Sequence, residues 1–218
     1  MLKRVLFGLP LMTALIITAT PAVVFSDEAA CVQGQKWVES HRNSLPETYD
    51  EYLASPTQYH LAIYGALPAG IKAALWTEHI QRYRDAHPEL TPAQLALIKE
   101  ALDLISKPDT FMARTRQQKK IDFTFQKSVE LGNHAELLFG REEAAALLFH
   151  LDGAPEERLG HEKNPVKTLL RECDCAFTGG GCWFDEYCRV GNCQTPVTGC
   201  GILGLFDCDG RCKISGTV

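Results

Sequence analysis

From Gln33 to Leu151 apolar residues recur at three- and four-residue intervals between regularly placed breakers, the pattern of consecutive amphipathic helices. Ser55-Pro56, Leu67-Pro68 and Thr91-Pro92 each read as a cap or turn with proline at the first helical position. From Ile71 to Tyr83 the stripe is Ile71, Ala74, Leu75, Ile80 and Tyr83, with Trp76 at its edge and Lys72, Glu78 and Gln81 on polar positions. From Thr91 to Ile105 it is Leu95, Ile98, Leu102 and Ile105. A longer, more polar helix is expected over Phe111 to Leu131, stopped by Gly132-Asn133, and a last one from Arg141 to Leu151. Trp37, Tyr59, Tyr64 and Trp76 are the aromatic candidates for the core.

The pattern breaks at both ends of this region. Residues 1–26 carry Lys3 and Arg4 and then an apolar run to Phe25, which is the layout of a secretory signal peptide cleaved after Ser26. Glu28 stands three residues before Cys31, where lipid attachment would call for an aliphatic residue. Beyond Asp152, the breakers Gly153, Pro155, Gly160 and Pro165 mark residues 153–172 as a linker. The expected organisation is therefore signal peptide 1–26, α-helical domain 27–152, linker 153–172 and a separate module 173–218. The fold class is mainly α, a bundle-like domain followed by a small, loop-rich, disulfide-rich unit.

Cysteine usage sets the last unit apart. Of the nine cysteines, Cys173, Cys175, Cys182, Cys188, Cys193, Cys200, Cys208 and Cys212 fall in the final 46 residues. No CxxC pair occurs among them, so a zinc ribbon is disfavoured, and in an exported chain an even, closely spaced set is a disulfide framework. Eight cysteines allow about 105 pairings, and spacing alone leaves the connectivity open. Cys31 is the odd cysteine: free, joined to another chain or paired with a tail cysteine all remain open. A 46-residue segment buries little apolar surface unaided, so the bridges take the place of its core, and reduction is expected to unfold it while the helical domain stays folded. Trp183, Phe184, Tyr187, Leu203, Leu205 and Phe206 are too many to hide in such a module, and are expected to form an exposed apolar binding patch.

Charge and motifs narrow the chemistry. The chain carries −5, and loss of the two cations of the signal leaves −7, which argues against affinity for nucleic acid. The cluster Arg114, Arg116, Lys119 and Lys120 reads as a solvated helix face. The seven histidines, at 41, 60, 79, 87, 134, 150 and 161, read as scattered surface or core-edge residues. His161-Glu162 lacks the second histidine of a zinc-protease helix, and neither a nucleophile elbow nor a phosphate-cradling loop occurs. No catalytic residue, metal ligand or cofactor is expected, and the chain does not read as an enzyme. The expected partners are an unidentified protein or envelope target and a processing protease, with membrane contact through the apolar patch and a location outside the cell or in its envelope.

The tail resembles the proteins related to the bacteriocin fulvocin C, through Cys173-x-Cys175, Cys182, Cys188, Cys193 and above all Thr195-Pro196-x-Thr198-Gly199-Cys200-Gly201, followed by a final cysteine pair. The helical region is similar to the long N-terminal part of such proteins at Trp37, Leu45-Pro46, Tyr64 through Leu67-Pro68, Leu75-Trp76-x-x-His79 and Leu90-Thr91-Pro92-x-Gln94. The resemblance implies a small secreted antibacterial peptide held by four disulfides, made here as the C-terminal part of a larger precursor. The chain departs from that pattern at the last two cysteines, which are separated by Asp209-Gly210-Arg211 where the bacteriocin has them nearly adjacent, and the spacings before Cys193 and Cys208 differ by one. The tail's net charge of −2 leaves any membrane action to the apolar patch. The alternative is an unprocessed extracellular or envelope protein whose cysteine-rich module is an interaction domain.

Overall fold

The computed structural model describes residues 27–112, 122–152, 176, 182, 186–190 and 198–214. Backbone alone is described for residues 27–32, which include Cys31. The expected signal peptide, the linker 153–172, the Arg114–Lys120 cluster, His161, Cys173, Cys175, Cys193, Trp183 and Phe184 lie outside the described residues.

The described part is mainly helical, in line with the expected class. Helix α1 is Asp27–Ser40, α2 Tyr49–Ala54, α3 His60–Ala66, α4 Ala69–Ala86, α5 Pro92–Ile105, α6 Phe123–Phe139 and α7 Arg141–Leu148. Thr91 caps α5 with Pro92 at its first position, and Gln94 reaches back to the Thr91 N–H at 2.9 Å, so two otherwise orphaned N–H groups of the first turn are satisfied. The other two prolines act one step earlier: Pro68 is itself the cap of α4, and Pro56 caps a short 3₁₀ turn, Thr57–Tyr59, that leads into α3.

Two stripes differ from expectation in rotation. In α4 the buried side chains are Leu75, Trp76, His79 and Ile80, so Trp76 lies at the centre of the buried face, and Ala74 is exposed. In α5 they are Leu97, Ile98, Ala101, Leu104 and Ile105, which leaves Leu95 42% exposed. The third difference is larger. Gly132 and Asn133 do not stop a helix; α6 begins at Phe123 behind an Asp122 cap and runs through both to Phe139, ending where Gly140 adopts φ +79°.

The tail contributes two small antiparallel sheets. Strand β1, Glu186–Val190, pairs with β4, Gly210–Ile214, and β2, Thr198–Cys200, pairs irregularly with β3, Phe206–Asp207. Cys182 is bonded to Cys212 and Cys200 to Cys208, and Cys188, opposite Cys212 in the β1–β4 ladder, is also disulfide-bonded. Disulfides fit an extracellular or otherwise oxidising compartment. Among the described residues no helix is long and apolar enough to cross a membrane.

The core of the helices does not end at the tail. Ile63, Tyr64, Leu75, Trp76, Ile80, Ile98, Ile105, Phe125, Leu131, Leu147 and Leu148 belong to one hydrophobic cluster that also takes in Ala176, Cys200, Ile202, Leu203, Leu205, Phe206 and Cys208. Strand β2 packs on α3, and the turn that follows it packs on α6. The tail therefore completes the core of the helices, where the sequence predicts a module relying on its bridges alone.

Candidate functional site: the docked loop of the tail

The Cys200–Cys208 bridge closes a seven-residue loop whose first six residues, Gly201-Ile202-Leu203-Gly204-Leu205-Phe206, carry no polar side chain, before Asp207 completes it. A loop of this length carries too few residues to cover itself, and it is covered by the helices instead. Residues 202–204 form a single 3₁₀ turn, with Leu203 in the left-handed region at φ 54°, ψ 22°. A non-glycine residue there is held at a cost of about 1–2 kcal/mol. Full burial of a leucine side chain contributes about 1.5–3 kcal/mol, and Leu203 is 0% exposed, so docking outweighs the strain.

Tyr64 on α3 is the centre of the cradle. The Trp76 indole N–H of α4 donates to the Tyr64 hydroxyl oxygen at 3.0 Å, and the Tyr64 O–H donates to the Leu203 carbonyl at 3.0 Å. Burial pushes the Tyr64 phenol well above its ordinary range, which keeps the hydroxyl protonated and able to donate. The ring is approached so closely by Gly204 and Gly199 that a Cβ on either would lie 2.8 or 2.7 Å from its carbon atoms, and both glycines have positive φ. Lys72 of α4 places its ammonium 5.1 Å from the centre of the same ring.

The second wall is α6. Ser128, Gly132 and Ala135 form a stripe of small, buried residues on this helix. A Cβ on Gly132 would come 2.3 Å from Ile202 Cδ1 and 3.0 Å from its Cγ1, so the missing side chain makes room for the loop. Phe125 meets Phe206 edge-on at 5.1 Å between ring centres, a favoured aromatic geometry.

The expected apolar patch is thus corrected. Leu203, Leu205 and Phe206 are buried at 0%, 6% and 7% exposure, and only Tyr187, at 45%, stands exposed among the described members of the patch. The small module does expose more apolar surface than it can bury itself, but the helices of its own chain cover it. Tyr64 was legible as a core aromatic; its role as anchor of the loop was not. A signal was present in α6, where Ser128, Gly132 and Ala135 follow helical spacing and small residues on one face mark close approach of another element.

A second polar cluster lies at the end of the helical region. The Tyr49 hydroxyl is 2.8 Å from both His79 Nδ1 and the Leu151 carbonyl, and His79 Nε2 is 2.9 Å from the Ala146 carbonyl. Burial lowers the His79 pKa and raises that of Tyr49 to about 12, so both are neutral near pH 7. His60 turns Nε2 to the Ser55 carbonyl at 3.0 Å and Nδ1 toward Asp152 at 3.7 Å. His60 and His79 are buried, against the expectation of surface or core-edge positions, because each is packed between elements and engages a backbone carbonyl. His41 and His87 instead stack on Trp37 and Tyr83 at the half-exposed margin. Among the described residues no group of three or more His, Cys, Asp or Glu is arranged to hold a metal.

No family model, curated protein or solved structure matches the chain.

Proposed function

We propose that the chain is an exported, non-enzymatic precursor of a disulfide-stapled, bacteriocin-like peptide, kept latent because its helical part covers the apolar loop of the stapled part. The reading joins the tail's resemblance to the fulvocin C-related proteins with one structural observation, the burial of Leu203, Leu205 and Phe206 under α3, α4 and α6. The tail's acidic balance leaves any action on an anionic envelope to its apolar side chains, and those of the loop are out of reach while docked. Scission between about Gly160 and Cys173, with Arg158, Lys163, Lys167 and Arg171 as candidates for a trypsin-like protease, would be the activating event.

Intact-mass spectrometry of the native culture supernatant and envelope, with and without reduction, tests this reading. The expected species is a tail fragment eight hydrogens lighter than its reduced form, and that fragment should inhibit growth of related bacteria when the uncut chain does not. A single species starting near Asp27 in every fraction would overturn the precursor reading. It would favour the alternative of a permanently joined extracellular interaction protein. That second reading draws on the shared core, since a segment that completes the core of its neighbour is also what an uncut protein would contain.

A further inference from the structure

The geometry points to the cradle of Tyr64, Gly132 and Phe125 as a non-covalent binding site for the stapled module itself, so that cutting the chain between the two parts leaves the module docked and a separate displacement step is needed to free it. The role of this site as a built-in antidote rests on the precursor reading above; the docking does not. The occupant is already seated in the cradle, and its contacts are of the kind that survive loss of the peptide connection. Ile202, Leu203, Leu205 and Phe206 are buried in a cluster most of whose other side chains come from the helical part of the chain. The Tyr64–Leu203 hydrogen bond spans 139 residues of sequence and lies wholly out of solvent. At Gly132, Gly199 and Gly204 the two parts approach so closely that a Cβ would overlap the facing side chain of Ile202 or Tyr64. Among the described residues, the bridges Cys182–Cys212 and Cys200–Cys208 both lie within the tail and neither crosses to the helices.

Two consequences follow for the partner. A module cut from one copy should be taken up by the cradle of another copy whose own tail has been displaced, which makes the helical part a neutraliser in trans. Recognition should also depend on the bridged form of the loop, because Cys200–Cys208 fixes the turn that presents the Leu203 carbonyl to Tyr64.

The test uses the full oxidised chain with a recognition sequence for a site-specific protease inserted between residues 153 and 172. After complete cutting, the two fragments should co-elute on size exclusion at micromolar concentration and separate on a denaturing, non-reducing gel. Added isotopically labelled cut protein should exchange its module with the unlabelled pool. Tyr64→Phe, which leaves the Trp76 N–H and the Leu203 carbonyl without their partner, should weaken the complex about ten- to a hundredfold. Leu137→Ser, at a position 82% exposed on α6, serves as the control that leaves it unchanged. Circular dichroism of each uncut variant establishes folding before cutting; should Tyr64→Phe not fold, Ile202→Ala is measured in its place, with weaker docking again expected. Fragments that part on cutting would overturn the inference, as would fragments still joined on the non-reducing gel or a variant complex as tight as the parent. Absence of a natural tail fragment would sink the precursor reading alone.

Discussion

Leu203 holds a left-handed conformation only because its side chain and its carbonyl are both engaged, the first in the core and the second by Tyr64. Truncation to alanine removes the burial and keeps most of the strain. Large-to-small changes in a core cost about 2–5 kcal/mol, whereas relieving a left-handed residue returns about 1–2 kcal/mol. Leu203→Gly should therefore be less destabilising than Leu203→Ala, by about 1 kcal/mol after the greater flexibility of an unfolded glycine is subtracted. This reverses the order found in helices and at most buried sites. Urea denaturation of the two variants measures it, and a less stable glycine variant would show that the turn relaxes when the side chain is gone.

At the scale of elements, α6 accepts a glycine in mid-helix because the loop needs the space. Gly132→Ala gains about 1 kcal/mol of helix propensity, yet its new methyl would sit 2.3 Å from Ile202 Cδ1, an overlap that forces the buried Ile202 to shift. Overpacking of this kind costs about 1–3 kcal/mol. Ile202→Val deletes Cδ1, the nearer of the two crowded atoms, so the double variant should be more stable than Gly132→Ala alone even though Ile202→Val by itself costs about 0.5–1.5 kcal/mol. Additive behaviour in that cycle would mean the two positions do not meet. The same helix explains which parts of the fold were legible. Thr91-Pro92 is a local signal and gave the start of α5 correctly. The buried face of α5 was misjudged because Leu95, Leu97, Ile98, Ala101, Leu102, Leu104 and Ile105 satisfy helical spacing on more than one face, and only the neighbouring helices select one. Gly132-Asn133 reads as a stop by local chemistry; its actual cause, a loop 70 residues further on, has no local signature.

The cluster between α4 and the end of α7 carries a pH dependence of definite sign. Burial holds the His79 pKa below its unfolded value, near 6.5. Above that value neither state binds the proton and the contribution to stability is complete. As the pH falls through about 6.5 the unfolded chain takes up a proton that the native imidazole resists, and stability falls by up to about 1.4 kcal/mol per pH unit until the native pKa is reached. His79→Gln removes the titration, so its denaturation midpoint should change less between pH 7.5 and 5 than that of the parent, whatever its absolute stability. Equal slopes would assign the acid sensitivity to other groups.

On the scale of the whole molecule, the shared core alters what reduction should do. A module stabilised by its bridges alone would unfold by itself on reduction and leave the helices intact. Here Ile202, Leu203, Leu205 and Phe206 belong to the same core as the helices, so their departure would uncover Tyr64, Phe125 and the Gly132 face of α6. By the chain-entropy model Cys200–Cys208 and Cys182–Cys212 limit the unfolded ensemble by about 2.5 and 3.7 kcal/mol. Those losses would fall on a unit that includes the helices. Cys200 and Cys208 are also 4% and 1% exposed, so reductant reaches their bridge only after the loop leaves its cradle. The reduced protein should accordingly melt at a lower temperature in one transition, with helical ellipticity and aromatic packing lost together. The native protein should keep Cys200–Cys208 while more accessible bridges are reduced. Partial alkylation followed by mass spectrometry reads the order of reduction, and circular dichroism reads the coincidence. A reduced chain with undiminished helical stability would show two independent domains whose contact contributes little, and the covered loop would then be free to leave as soon as its connection is cut.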